Sequence, residues 1–143
     1  MIEWLGILLA ALLAALGLLH LYWAAGGRKA KAASIPTVNG QWAFNPTRGA
    51  TVLVAGVLFT EMFIVLGRLG WWGGALPPEI FQWGTWSIVA VFGLRAVGEF
   101  RLVGFFKRVN DTPFAWWDTR FYSPLCLAIA LIAFLLTRNG HNQ

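Results

Sequence analysis

The chain of 143 residues has room for one domain, and it is 58% hydrophobic and only 12% charged, about half the ~25% charge usual in soluble domains. That leaves too little polar side chain to cover a soluble globule, so lipid is the expected solvent for its surface. The formal net charge of +5 sits in short runs beside apolar segments, a pattern of topology signal and anionic-lipid contact that argues against nucleic acid as a partner, and the single cysteine, Cys126, excludes an intrachain disulfide or a cysteine-built metal site.

The first apolar segment, about residues 4–25, reads WLGILLAALLAALGLLHLYWAA. Met1, Ile2 and Glu3 supply no basic n-region, and the run exceeds the ~7–15 residues of a signal-peptide core, so a retained transmembrane helix is expected. His20 lies one turn before its end, and Tyr22 and Trp23 fall at the interface. From Gly26 to Gly49 no period holds and Gly, Pro, Asn and Ser recur, which marks a loop. Arg28, Lys29 and Lys31 open it, and Trp42 and Phe44 suit the headgroup layer. The second segment, about 50–69, carries Glu61 near its centre. GWWGGALPPE then marks a turn at the opposite interface.

The third segment, about 83–105, is apolar enough to span but contains Arg95, Glu99 and Arg101, and charges at membrane depth are costly unless paired or used. A polar crossing, KRVNDTPFAWWDTR, leads to a fourth segment at about 122–137, where Ser123 and Pro124 suit an N-cap and first turn. Of the nine tryptophans, all but Trp42 fall near a predicted boundary, as an aromatic belt requires. The expected fold is therefore all-α, a single domain forming a four-helix transmembrane bundle. The loops after segments one and three hold most of the Lys and Arg, so the positive-inside rule places them in the cytoplasm and both termini outside.

Helix rise puts Glu61 roughly 16 Å deep and Arg95 roughly 12 Å above the cytoplasmic boundary, so the two are within mutual reach. Arg95 and Glu99 are also i,i+4 neighbours, and an intrahelical pair is an equal alternative. Either pair could simply neutralise itself and fix helix register without a ligand. His20, Glu99, Asp118 and Arg120 fall in the cytoplasmic half, which suggests a polar interior open to that side. Read more plainly, Asp118 is a helix-start carboxylate and Arg120 an interfacial anchor. His20 and His141 fall on opposite sides, and no metal or cofactor is expected.

The elements HLYWAAGG, SIPTVNG, FGLRAVGEFRLVGFFKR and TPFAWWDTRFYSPLCL occur in this order. Together they resemble the bacterial membrane family catalogued as domain of unknown function 3995, over nearly the whole chain. The resemblance implies that His20, Trp23, Arg95, Glu99, Gly104, Lys107, Asp118, Arg120, Tyr122, Ser123 and Pro124 are the positions that matter; Glu61 is outside that pattern. It also implies a multi-pass protein of the bacterial cytoplasmic membrane.

The leading expectation is binding or transport of a small molecule or ion through a polar interior. Arg95, Glu99, His20, Glu61, Trp23, Asp118, Arg120 and Tyr122 are the candidate binding residues, membrane lipid is the surroundings, and a homodimer would complete a transport path. Two alternatives stand beside it. One is an intramembrane enzyme acting on a lipid or isoprenoid-like substrate, with His20 and Glu99 as acid/base groups. The other is an accessory subunit whose charges pair with a partner helix. No catalytic residue can be assigned.

Overall fold

Four apolar stretches become four helices because only internally hydrogen-bonded backbone is tolerated in lipid. A computed structural model describes residues 1–139; His141 lies outside the described residues. Helix α1 spans Ile2–Ala24, α2 Arg48–Arg68, α3 Pro78–Val97 and α4 Pro113–Asn139, and each is long and apolar enough to cross a membrane. Sequence-local caps start three of them. The Thr47 hydroxyl accepts the Ala50 N–H, Pro78 occupies the first turn of α3, and the Thr112 hydroxyl accepts the Ala115 N–H with Pro113 behind it, satisfying amides that have no intrahelical acceptor.

Helix α1 packs chiefly on α2, and α3 chiefly on α4. The two pairs close on a core that includes Leu9, Leu13, Val65, Ile88, Ile129 and Ala133, all with 0% exposure. The outward faces are apolar as well, with Leu18, Leu53, Phe63, Leu94 and Leu131 exposed, as a helix bathed in lipid requires. Loops 25–47 and 98–112 share one end of the bundle, where the Tyr122 hydroxyl of α4 meets the Ser34 hydroxyl of the first loop at 3.2 Å. This is called the loop end below. The termini and the α2–α3 turn share the other. Within the first loop a short hairpin pairs Thr37–Val38 with Gln41–Trp42. Its turn residues, Asn39 and Gly40, both have positive φ, as a two-residue type I′ turn demands.

Two helix boundaries differ from the sequence expectation. The third helix runs over Pro78–Val97 instead of 83–105. Gly98 has φ +88°, a conformation costly for any other residue, and the chain turns back there. The Phe105 N–H then reaches the Ala96 carbonyl (2.8 Å) and the Phe106 N–H the Val97 carbonyl (3.4 Å), satisfying two of the carbonyls a helix end leaves open. Gly104, also at φ +88°, presses its backbone against Gly98, and a Cβ on either glycine would strike the other strand of the loop. Segment 98–104 is thus a closed loop pinned between two glycines. Glu99 and Arg101 leave the helix, and Arg95 falls in its last turn.

The fourth helix begins at Pro113, ahead of the expected 122–137. Asp118–Tyr122 forms a π-helical turn, closed by the Ser123 N–H on the Asp118 carbonyl. Pro124 has no N–H and its ring crowds the preceding turn, so a wider turn is the local solution.

Replacing Gly98 by Ala should lower the thermal midpoint in detergent by at least ~5 °C, since the backbone conformation alone costs about 1–2 kcal/mol before the collision is counted. Gly56→Ala, where a Cβ meets nothing within 4 Å, should change the midpoint little. Fluorescence-detected size exclusion after heating measures both.

Candidate functional site

The Asp118 side chain has 0% exposure, and burying a carboxylate demands pairing and hydrogen bonds. Three separate positions supply them. Arg95, from the last turn of α3, donates through Nη2 to Oδ1 at 2.8 Å. The Gly104 N–H, presented by the closed loop, donates to Oδ2 at 2.8 Å. Lys107 Nζ stands 3.1 Å from the same oxygen.

An ammonium has three N–H groups. Those of Lys107, almost wholly buried, face Asp118, the Gly104 carbonyl (3.0 Å) and the Thr119 hydroxyl (2.6 Å). Arg95 also suits the carbonyl end of its helix electrostatically. Two cations therefore meet one carboxylate, tying α3, the 98–107 segment and the π turn of α4 together. Arg95 Nη1 and Ser123 Oγ are buried without a hydrogen-bond partner among the described residues.

The π turn carries this anchoring to a cavity. Tyr122, one turn beyond Asp118, stacks obliquely on Phe114 and meets Ser34 of the first loop. Ser34 lines a cavity of about 480 Å³ between the end of α1, loop 25–47 and the start of α2. Apolar groups form most of its wall, among them Ile35, Phe44, Pro46 and Val54, and besides Ser34 the polar contributors are His20, Trp23, Lys31, Asn45, Thr47 and Thr51. His20 Nδ1 lies 2.8 Å from the Leu16 carbonyl. A carbonyl can only accept, so Nδ1 carries the proton, and Nε2 of the neutral ring is an acceptor. The ring packs edge-on to Trp23 at 5.0 Å, whose Nε1 donates to the Lys29 carbonyl at 2.9 Å. Imidazole and indole are both fixed in orientation.

The candidate residues thus divide. His20 and Trp23 line the cavity, and Tyr122 supports its wall. Arg95 and Asp118 form the ion pair that holds the π turn, so Arg95 pairs neither with Glu61 nor with Glu99. Glu99 is exposed, and its Oε1 accepts the N–H groups of Leu102 and Val103 (3.2 Å for the latter), stitching its own loop. Arg120 is exposed and lies over the Trp116 ring at 4.5 Å, a cation–π contact at the loop end. Glu61 stands apart, buried on α2 beside a groove that faces outward between α2 and α3. Lys107, Thr119 and Lys31 were not among the candidates. Lys107 reads from sequence as one more basic loop residue, and only the family resemblance marks it. Among the described residues no three His, Cys, Asp or Glu side chains gather as a metal site would need.

Comparison with known proteins gives a match over residues 13–133 to the family described as Protein of unknown function (DUF3995). No curated protein and no solved structure matches the chain.

Asp118→Asn should destabilise the protein by about 3–5 kcal/mol, because it leaves buried cations without their counter-charge. The double variant Asp118→Asn/Lys107→Met removes one stranded cation as well, so it should lose less than the sum of the two single variants. Thermal or denaturant unfolding of the four proteins in detergent completes the cycle.

Proposed function

The chain belongs to the family described as Protein of unknown function (DUF3995), and because that description carries no activity we propose a reading from the loop end: a multi-pass membrane protein that binds a small amphipathic molecule in the His20 cavity. The observation that carries this reading is a fixed imidazole acceptor in a mainly apolar cavity of about 480 Å³. That size falls within the ~300–1,000 Å³ of small-molecule sites, which typically combine apolar walls with a few placed polar groups. His20 Nε2 offers an acceptor for a hydroxyl or acid proton, and Lys31 offers a cation for the same head group. The ligand body would lie against Ile35, Phe44 and Val54.

The reading is binding in preference to passage through one chain. Between the loop end and the opposite end, Leu9, Leu13, Ile88 and Ile129 pack in the core of the bundle, and these apolar side chains offer a polar solute no hydrogen bonds. By the positive-inside rule the cavity faces the cytoplasm, at the inner membrane of a bacterium. A second reading follows from the same imidazole, since a ring whose Nδ1 is held by a carbonyl can take a proton at Nε2 as a general base. On that reading the bound molecule would be a substrate.

Native mass spectrometry of gently purified protein tests the proposal. A defined compound should accompany the wild type and Glu99→Gln, whose side chain faces its own loop, and should fall at least ~five-fold in His20→Ala. Bulk membrane lipid alone in all three would contradict it. Conversion of the released compound by the wild type, absent in His20→Ala, would establish the enzymatic reading.

A further inference from the structure

Away from the loop end, Glu61 is 5% exposed, and its Oε2 is buried with no hydrogen-bond partner among the described residues. It makes no ion pair among the described residues. A carboxylate buried in an apolar bundle without a counter-ion is costly, and such groups in membrane segments mark ligand or ion sites by default. Glu61 borders a groove of about 610 Å³ between α2 and α3, the adjacent helices that pack together less intimately than α1 with α2 or α3 with α4. Gly56 lies in this groove, and a Cβ there would meet nothing within 4 Å, so the space beside it is open.

The polar lining has one sign. The Thr60 hydroxyl donates to the Gly56 carbonyl at 2.9 Å and the Ser87 hydroxyl to the Gly84 carbonyl at 2.6 Å. Their protons are spent within their own helices, and each oxygen keeps lone pairs. The groove therefore presents a carboxyl group and two hydroxyl acceptors, with no cationic side chain lining it. An anion would meet only acceptors there. The remaining walls include Val57 and Val91, and the groove opens outward along the membrane-facing surface.

From this lining we infer that the α2–α3 groove is a binding site for lipophilic cations, with Glu61 as the counter-charge. The apolar body lies against the valines, and the positive centre sits beside the Glu61 carboxylate, within reach of the Thr60 and Ser87 oxygens. The occupant enters sideways from the lipid. This site is independent of the His20 cavity, which takes from α2 only Ala50, Thr51 and Val54, none of them in the groove.

Equilibrium dialysis of detergent-purified protein with radiolabelled tetraphenylphosphonium tests the inference. Saturable binding is expected, weakened at least ~ten-fold by Glu61→Gln and unchanged by His20→Ala. Labelled tetraphenylborate, of nearly the same shape and opposite charge, should show no saturable binding in a separate dialysis. Should Glu61→Gln not fold, Gly56→Leu fills the groove while leaving the carboxylate in place, and it should abolish binding. Absence of saturable binding, retention of affinity in folded Glu61→Gln, or equally tight binding of tetraphenylborate on its own would each overturn the inference. Loss of binding in His20→Ala would overturn its independence from the loop-end cavity.

Discussion

One buried carboxylate organises the loop end of this protein. Asp118 draws an arginine from the end of α3, a backbone N–H from a closed loop and a lysine from the return strand, and each of those groups is placed by a different local device. Arg95 is placed by the helix, Gly104 by its positive φ and close approach to Gly98, and Lys107 by the carbonyl and hydroxyl that take its other protons. Removal of any one strands the rest, which is why such clusters are stiff even where their net stabilisation is small. The π turn that carries Asp118 also carries Tyr122, and through Ser34 the anchoring extends to the wall of the His20 cavity. Stability and candidate function are thereby coupled at this end.

The remainder of the bundle obeys different physics. Its interior is apolar packing between two helix pairs, and its exterior is equally apolar, so there is little hydrophobic difference between inside and outside to drive association in lipid. Close packing and the few polar contacts that cross between helices do that work. At the terminal end these include the Arg68 guanidinium on the Leu136 carbonyl and Gln82 on the Thr137 carbonyl, each at 3.4 Å. Non-helical backbone near the membrane boundary must satisfy its own polar groups. Segment 98–106 does so through the Glu99 carboxylate, the returning N–H groups of Phe105 and Phe106, and Asp118 itself.

Much of this architecture was legible in the amino-acid order, and the failures have specific causes. Four apolar runs and their connections were plain from hydropathy. The end of α3 was not, because Phe100, Leu102, Val103, Phe105 and Phe106 continue the apolar run while belonging to a folded loop. The informative signal was the pair Gly98 and Gly104, whose backbone freedom is used to close that loop and not to let helices approach. The start of α4 was misplaced for a related reason. Thr112–Pro113 and Ser123–Pro124 are equivalent start signals in sequence; the first caps a helix and the second lies inside one, beside a π turn. A third helix carried to residue 105 puts Arg95 at a depth within reach of Glu61 and keeps Glu99 one turn away on the same face, which hides the pairing of Arg95 with Asp118. The family resemblance marked Arg95, Gly104, Lys107 and Asp118 without saying that they meet.

Asp118 holds the loop end while apolar packing holds the rest, and amide hydrogen exchange, followed peptide by peptide in wild type and Asp118→Asn, distinguishes the two regions. Exchange in the variant should be faster across 98–107 and in the cavity wall around Ser34, with protection in α1 and α2 at the level of Leu9, Leu13 and Leu58 unchanged. Unaltered protection of 98–107 would contradict this, as would a uniform loss of protection throughout the bundle.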